Sequence, residues 1–489
     1  MEFGKSLSLI APELVLSLGG LAMTLLAAWL GEKSARAMSI FAVAIIVGAM
    51  AFTVASMNGG AAIGPDVFAF GDQFAADGFA GFAKILIGLA AIAVLTVSQP
   101  FFVRSAATYR PEYPLLIVFS VLGMGLMVSA TNLMTLYIGL ELSSLSSYVL
   151  ASFMRHDTRS AEAGLKYFVL GALASGILLF GMSLTYGFAG STSYAGIRTA
   201  FAGGLSTGAL FGVVFVLAGL AFKIAAVPFH MWTPDVYEGA PTPVTTFFAS
   251  APKVAAVAVL MRMALDAFGG QIDAWRQIVV FAALASIVIG ALGAIGQANV
   301  KRLLAYSSIN NVGFILIGLA AGTAAGASGM LVYLAIYVAM TIGSFVAVLM
   351  LRNAEGDQVE SIADIAGLST TQPLLAACLA AMMFSLAGIP PLFGFWGKFV
   401  VFQAAVEADL LPLAVLGIAA SVIGAFYYIK IVKVMYFDDA AGVVTGKPGT
   451  AHWVVLLAAT LFVSPLGYLL NGWLGNWADH AAQALLLTI

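Results

Sequence analysis

Long apolar stretches, separated by short polar turns, recur from one end of this chain to the other. An apolar run of about 20 residues crosses a bilayer as an α-helix, because a helix satisfies its backbone polar groups within its own segment. The pattern predicts an all-α polytopic membrane protein with about fourteen transmembrane helices. The predicted spans are residues 8–30, 38–57, 79–98, 114–130, 131–153, 162–187, 208–227, 244–266, 276–297, 303–321, 328–351, 372–391 with a second half at 395–407, 410–432 and 452–471.

The composition excludes several functional classes. The chain is 62% hydrophobic and only 9% charged, whereas soluble domains carry about 25% charged residues. Its net charge of −2 favours no nucleic-acid partner. The single cysteine, Cys378, cannot supply a disulfide, a cysteine-based zinc site or an iron–sulfur cluster. His156, His452 and His480 lack metal-ligand spacing, and no phosphate-binding loop follows a strand. We therefore expect no cofactor and no metal on this chain.

Basic residues predict the orientation in the membrane. The loops after odd-numbered spans hold thirteen of them: Lys33, Arg36, Arg104, Arg110, Arg155, Arg159, Lys166, Lys301, Arg302, Arg352, Lys430, Lys433 and Lys447. The opposite loops hold three, namely Lys5, Arg198 and Arg276. Because cytoplasmic loops are enriched in Lys and Arg, the odd loops, here called the basic face, are predicted to be cytoplasmic and both termini periplasmic. Lys84 and Arg262 lie near span ends, where snorkelling to the surface is expected.

Four ionisable residues lie deep in apolar segments: Glu141, Lys223, Lys253 and Lys398. Each costs roughly 2.5–3.5 kcal/mol at the centre of a membrane helix. The alternatives are buried ion pairs that orient helices, snorkelling lysines, or a relay that conducts protons or similar cations. A buried lysine can lose its proton, whereas arginine stays charged. The use of lysine at all three deep basic positions therefore favours the relay.

Two of these lysines stand beside interruptions of their apolar segments. Lys223 precedes Val227-Pro228-Phe229-His230, and Lys398 follows Gly388-Ile389-Pro390-Pro391. Proline removes a backbone hydrogen bond and breaks a helix. Interrupted helices in corresponding halves of a chain indicate a transporter-type site. His230 at the first interruption is a secondary candidate, because a lone histidine there is more often structural.

Four motifs resemble those of a known family: Glu162-Ala-Gly-Leu-Lys-Tyr-Phe168, Phe222-Lys-Ile-Ala-Ala-Val-Pro-Phe-His-Met-Trp-Thr-Pro-Asp-Val-Tyr-Glu-Gly-Ala-Pro-Thr-Pro-Val244, Asn299-Val-Lys-Arg-Leu-Leu-Ala-Tyr-Ser-Ser308 and Gly388-Ile-Pro-Pro-Leu-Phe-Gly-Phe-Trp-Gly-Lys398. They are similar to the antiporter-like membrane subunits of respiratory complex I, the NADH:quinone oxidoreductase. The short length, the absence of a long C-terminal lateral helix and the lysine at position 398 resemble one branch of that family.

The resemblance implies two inverted five-helix repeats, spans 4–8 and 9–13. It implies an N-terminal three-helix segment at 1–110, repeats at 111–268 and 269–437, and a C-terminal helix at 438–489. It also implies that Glu141 pairs electrostatically with Lys223, that Lys253 is the central relay residue and that Lys398 is the terminal one. Lys166 would modulate the first site.

The same resemblance implies a bacterial inner-membrane subunit of an oxidoreductase, with no redox centre of its own. Its partners would be the lipid bilayer, other membrane subunits of the complex and, indirectly, flavin and iron–sulfur subunits. Quinone reduction elsewhere would drive proton translocation. The alternatives are a subunit of a multi-subunit cation/proton antiporter and a structural spacer. One departure stands out: relatives often carry a histidine after Tyr-Ser-Ser in the tenth span, where this chain has Asn310-Asn311.

Overall fold

A computed structural model describes residues 2–58, 67–105, 109–353, 356–440 and 449–487. Lys447, assigned above to the basic face, lies outside these described residues. The N-terminal part is a bundle of helices with one short antiparallel hairpin. Its elements are α1 (Glu2–Leu9), α2 (Ala11–Leu30), α3 (Ala35–Asn58), β1 (Phe68–Ala69), β2 (Phe74–Ala75) and α4 (Gly78–Ser105).

The next two groups of helices lie within residues 111–268 and 269–437, the bounds predicted for the two repeats. The first contains α5 (Glu112–Ser129), α6 (Leu133–Ala151), α7 (Thr158–Ala189), α8 (Tyr194–Phe201), α9 (Thr207–Ile224), α10 (Trp232–Gly239), α11 (Thr242–Phe248) and α12 (Ala251–Arg262). The second contains α13 (Ile272–Ile295), α14 (Val300–Ala321), α15 (Ala324–Met350), α16 (Leu368–Thr371), α17 (Pro373–Ala387), α18 (Phe393–Glu407) and α19 (Leu411–Phe437). The chain then continues into α20 (Thr450–Val463) and α21 (Asn471–Leu487).

Polar side chains start several of these helices. An N-cap side chain accepts a hydrogen bond from a backbone N–H that has no partner inside the helix. Asn132, Asp157 and Asn299 do this for α6, α7 and α14. Ser206 and Thr323 do the same for α9 and α15. These caps stand at the turns that separate the apolar runs, so the polar turns of the sequence also define where the helices begin.

The span count agrees with the sequence. In the described residues, twelve helical segments are long and apolar enough to cross a membrane, and α20 with its continuation, bent by 69°, makes a thirteenth. The short apolar helix α17 is extended beyond its interruption by α18, which supplies the fourteenth. The prediction of an all-α polytopic membrane protein with about fourteen spans is confirmed.

Two predicted spans are less regular than expected. The segment at 244–266 is not one helix, because α11 ends at Phe248 and α12 begins at Ala251, with Pro252 in its first turn. The predicted C-terminal helix is two helices, because a 3₁₀ segment at Pro465–Leu470 bends the chain between α20 and α21. The break between α11 and α12 is an additional helix interruption, directly before Lys253.

The snorkelling predicted for Arg262 and Lys84 is wrong. Arg262 is 1% exposed, and its Nη1 lies 2.9 Å from Oδ2 of Asp77, which also caps the start of α4. The Nζ atom of Lys84 lies 2.6 Å from Oε1 of the buried Glu13 in α2. Both acids are close enough to neutralise these bases inside the protein, so neither side chain needs to reach the surface.

The most enclosed helices lie at the centre of the bundle. In α14, in α15 and in the segment from α11 through α12, 94% of the central stretch is buried within the protein. By contrast, only 22% of the corresponding stretch of α2 is buried. The enclosed helices carry Lys253 and the Asn310-Asn311 pair, so these residues are shielded from lipid.

Candidate functional site

Lys223 belongs to a polar cluster that α6 and α9 form. Glu141, Ser144 and Tyr148 lie three and four residues apart on α6, which places them on one helix face. The Nζ atom of Lys223, in the last turn of α9, donates to Oγ of Ser144 at 2.8 Å and lies 5.9 Å from the centre of the Tyr148 ring. The buried Oε1 of Glu141 has no hydrogen-bond partner among the described residues. Lys223 therefore contacts a serine one turn from Glu141.

Lys253 contacts the end of the first interrupted helix. It is 1% exposed, and its Nζ donates to the backbone carbonyl of Ile224, the last residue of α9, at 2.6 Å. The next residue, Ala225, is left-handed with φ +60°, which ends the helix. The last carbonyls of a helix lack intrahelical partners and carry partial negative charge. The cation thus sits on the carbonyl of the residue that follows Lys223.

Lys398 repeats this arrangement in the second half of the chain. Its Nζ donates to the carbonyl of Ala387, the last residue of α17, at 3.0 Å, and to Oγ of Ser421 at 3.4 Å. Gly388 follows with φ +81°, and a Cβ there would lie 2.9 Å from Cδ of Lys398. The ammonium also lies 4.3 Å from the centre of the Phe314 ring. Lys253 and Lys398 are therefore held by equivalent helix ends.

A network of hydroxyl and amide groups on α14 and its neighbours lies near the second interruption. Asn311 accepts from the Tyr333 hydroxyl at 2.5 Å and donates to the Tyr428 hydroxyl at 3.2 Å. Ser307 Oγ lies 2.5 Å from the same Tyr428 hydroxyl. A Cβ on Gly397, beside Lys398, would touch the Tyr333 ring at 2.4 Å. The network therefore reaches the residue next to Lys398.

Helix α14 is also linked, through α13, to the first interruption, which follows the end of α9. The backbone N–H of Val227 donates to Oγ of Ser286 in α13 at 2.9 Å. The neighbouring carbonyl, that of Ile287, accepts from the side-chain amide of Asn310 at 2.7 Å. Polar contacts thus extend from the residues after α9 across α13 to α14.

Sequence reasoning missed Tyr333, Tyr428 and Ser286 as members of this network. A tyrosine or a serine within an apolar run carries no sequence pattern that marks it as functional.

Lys166 lies away from this line of lysines. Its Nζ is 2.8 Å from Oδ2 of Asp235 in α10 and 2.7 Å from Oε1 of Glu162. The other oxygen of Asp235 lies 2.7 Å from Nη1 of Arg302 in α14. Lys166 is therefore joined to the second repeat through one shared carboxylate, and not directly to Glu141.

His230 lies in the turn between α9 and α10 and is partly exposed. Its Nδ1 has no hydrogen-bond partner within the described part of the chain. In that same part, no group of three or more His, Cys, Asp or Glu residues is placed to hold a metal ion. The contacts of the three deep lysines are with hydroxyl and carbonyl groups: Lys223 with Ser144, Lys253 with Ile224 and Lys398 with Ala387.

Interrupted helices, with lysines bound to their free ends inside a polytopic bundle, define a transporter-like membrane protein. The family described as NADH:quinone oxidoreductase/Mrp antiporter, transmembrane, matches residues 130–424. NADH-quinone oxidoreductase subunit N of Erythrobacter litoralis is 68% identical over 487 residues, covering 100% of both chains. Subunit N of Rhizorhabdus wittichii is 58% identical, covering 99% of this chain and 100% of its relative.

Solved structures share the fold. A chain of respiratory complex I from Thermus thermophilus with bound aureothin is 31% identical, with a TM-score of 0.80, covering 95% of this chain and 98% of that one. A chain of the Mrp complex from Dietzia has a TM-score of 0.83 at 22% identity, covering 98% of both chains, which shows the fold alone. The chain belongs to the family of antiporter-like membrane subunits of NADH:quinone oxidoreductase, within its subunit N branch.

Proposed function

We propose that this chain is a proton-translocating membrane subunit of an NADH:quinone oxidoreductase, and that Glu141, Lys223, Lys253 and Lys398 form its relay. The contact that carries the proposal is that of Lys253 with the carbonyl of Ile224. It places an almost fully buried lysine beside the residue after Lys223, within an interrupted helix. A buried lysine that is held by a neutral carbonyl, and not by a carboxylate, can lose its proton without leaving an unpaired acid.

Quinone reduction would be coupled to proton translocation through Glu141 and Lys223. Quinone reduction elsewhere in the complex changes the field at one end, which alters the interaction of Glu141 with Lys223 and shifts proton affinity along the lysines to Lys398. Moving one proton against 100 mV costs about 2.3 kcal/mol. A change in charge pairing supplies a few kcal/mol inside a low-dielectric protein. Lys166 and His230 would be secondary in this scheme, with Lys166 acting through Asp235.

The partners would be other membrane subunits of the complex, with flavin and iron–sulfur subunits in indirect contact. The location would be a bacterial inner membrane with the basic face cytoplasmic. The full-length identity to subunit N relatives favours this assembly over a separate cation/proton antiporter. Purification of the native assembly would distinguish them: flavin and iron–sulfur subunits would co-purify with the former only.

The relay is tested by Lys253→Ala in the assembled complex, with proton pumping measured in membrane vesicles during NADH oxidation. We expect pumping to fall by about tenfold or more, the effect of 1.4 kcal/mol on one step, at a normal content of assembled complex. Lys430→Ala is the control, since Lys430 also donates to a helix-end carbonyl, that of Ile295 at 3.3 Å, but lies at the basic face. Full pumping by the Lys253 variant would support the structural-spacer alternative.

A further inference from the structure

A large apolar cavity opens on the side of the bundle between α4, α15, α20 and α21. Its volume is about 1330 Å³. Along α4 its lining runs from Gly78 to Thr96, about 27 Å at 1.5 Å per residue, which is close to the thickness of the hydrocarbon core of a bilayer. Three of its apolar lining side chains are exposed at the surface of the chain, namely Leu89, Val454 and Trp473. This space, here called the lateral cavity, is therefore suited to lipid acyl chains.

A second, small pocket lies beyond the end of the lateral cavity at the basic face. The same three helices line both spaces. Helix α4 lines the cavity up to Thr96 and the pocket with Arg104, and α15 lines the cavity up to Ile342 and the pocket with Leu349. Helix α20 lines both spaces from its first turn. We call the pocket the arginine pocket, because Arg104 and Arg352 lie in its wall.

Two nitrogen atoms inside the arginine pocket have no hydrogen-bond partner. Arg352 and His452 are each 5% exposed, and neither Nε of Arg352 nor Nδ1 of His452 is hydrogen-bonded within the described residues. His452 lies in the first turn of α20, and a Cβ on the N-cap Gly449 would lie 3.7 Å from its Nδ1. Gly449 has no side chain to cap α20, and the first N–H groups of a helix carry partial positive charge. The pocket therefore gathers donors that lack an acceptor.

The arginine pocket carries positive charge without a matching acid. In the described part of the chain, neither Arg104 nor Arg352 forms an ion pair with a carboxylate. Burial lowers the pKa of Arg352, as does the charge of Arg104, and Asp357 is the acid whose charge acts against them. The buried Arg262, by contrast, is paired directly with Asp77. Because a buried charge is costly unless it is paired, we expect an anion from outside the chain to bind here.

The phosphate of a lipid is the anion that suits both spaces. The planar guanidinium of arginine matches phosphate oxygens with two parallel hydrogen bonds. The volume of the arginine pocket, about 10 Å³, admits one oxygen atom and not a whole nucleotide. The rest of the phosphate would lie at the mouth of the pocket, beside the exposed Arg104. Basic pockets between membrane helices on the cytoplasmic side bind anionic headgroups, whereas an ammonium headgroup would bring a like charge towards the two arginines.

We propose that the arginine pocket and the lateral cavity together bind one anionic phospholipid, with its phosphate on Arg104, Arg352 and His452 and its acyl chains along α4, α15 and α20. The lipid neutralises the buried charge of Arg352. Its chains fill the apolar space between the N-terminal helices, the second repeat and the C-terminal helices. The four residues of the proposed relay line neither space, so the lipid site is independent of the proposed proton translocation.

The phosphate site is tested by labelling the purified complex with phosphatidylglycerol that carries a photoreactive diazirine in an acyl chain. Mass spectrometry is expected to find adducts on residues that line the lateral cavity. Arg352→Gln is expected to lower their yield about tenfold, the effect of 1.4 kcal/mol on binding, and Arg104→Gln gives the same test without changing a buried residue. Arg110→Gln is the matched control, since Arg110 also lies at the basic face but pairs with Glu32 at 3.8 Å and lines neither space. Undiminished yields in both test variants, or equal losses in the control, would overturn the proposal.

A second pair of variants tests the acyl-chain cavity. Ala458→Trp places a large ring in the lateral cavity, whereas Leu457 is exposed on α20 outside its lining and Leu457→Trp is the control. Only Ala458→Trp is expected to lower the adduct yield, and excess inorganic phosphate is expected not to compete. Full labelling of Ala458→Trp together with competition by phosphate would indicate a site for a free anion and overturn the lipid. Equal labelling by a phosphatidylcholine analogue would refute selection for anionic lipid. A wild-type complex without adducts in the cavity would overturn the proposal in favour of a neighbouring subunit.

Discussion

Lys253 and Lys398, two buried lysines of the proposed relay, bind neutral oxygen atoms at the ends of interrupted helices. Lys253 contacts the carbonyl of Ile224 and Lys398 that of Ala387, in each case directly before a left-handed residue. By contrast, the buried Arg262 contacts the carboxylate of Asp77. Arginine is always charged and needs such a permanent counter-ion, whereas lysine can become neutral beside a carbonyl. The difference in partner therefore separates structural charges from candidate relay charges.

This difference predicts the effect of Lys398→Arg. The guanidinium keeps the positive charge but cannot release its proton, so we expect pumping to fall by about tenfold or more at normal assembly. The measurement is proton pumping per NADH oxidised in vesicles. Lys430→Arg at the basic face is the control and is expected to pump normally. Undiminished pumping with arginine at position 398 would contradict a titrating role for this residue.

At the scale of helices, each predicted repeat contains two neighbouring helices whose backbones approach closely at a glycine. A Cβ on Gly123 in α5 would lie 2.5 Å from the backbone nitrogen of Ser143 in α6. A Cβ on Gly290 in α13 would lie 2.6 Å from the backbone nitrogen of Asn310 in α14. In a membrane, small residues allow helix backbones to approach closely. In each pair a glycine of the first helix thereby lets the backbone of the second helix approach closely, at Ser143 in α6 and at Asn310 in α14.

Gly123→Ala is expected to destabilise the first helix pair. The added methyl group would meet backbone atoms of α6, which cannot move away as a side chain can, at a cost on the order of 1–3 kcal/mol. We expect a lower thermal midpoint of the purified complex and less of this subunit in membranes. Gly176→Ala is the control, because a Cβ at position 176 meets no atom within 4 Å. A wild-type midpoint for the Gly123 variant would argue against this contact.

At the scale of the whole molecule, charged groups at the basic face tie the repeats together. Asp235 at the end of the first interrupted span is shared by Lys166 from α7 and Arg302 from α14. Glu360 is likewise shared by Arg159 and Lys301. Because each carboxylate binds bases from both repeats, a change of charge on one repeat alters the field on the other. Lys166 could therefore influence the charges of the proposed relay through Asp235 and Arg302, without contacting Glu141.

Asp235→Asn tests this connection between the repeats. Partly exposed ion pairs contribute about 0–1 kcal/mol to stability, so the amount of assembled complex is expected to stay near normal. Pumping is expected to fall several-fold, since Lys166 and Arg302 lose the only carboxylate that they both contact among the described residues. Glu162→Gln is the control, because Glu162 pairs with Lys166 within one repeat. Equal losses in both variants would refute a role specific to Asp235.

The sequence alone determined the class of fold, the number of spans, the two proline interruptions and the four deep ionisable residues. All of these are local properties: an apolar run, a proline or an isolated charge can be read without knowing its neighbours in space. The four motifs were also sufficient to indicate the family, which the comparisons confirm. The roles of Glu141, Lys223, Lys253 and Lys398 stay predictions that the proposed variants test.

Only the tertiary structure decided which groups these residues contact. Arg262 and Asp77 are 185 residues apart in the chain, and Lys253 meets Ile224, 29 residues earlier, with the helices α10 and α11 between them. The burial of Arg262 and the position of Lys166 on a bridge between repeats were therefore not predictable from spacing. Partners across helix interfaces depend on how whole helices pack, and packing is set by the sum of many weak contacts along their length.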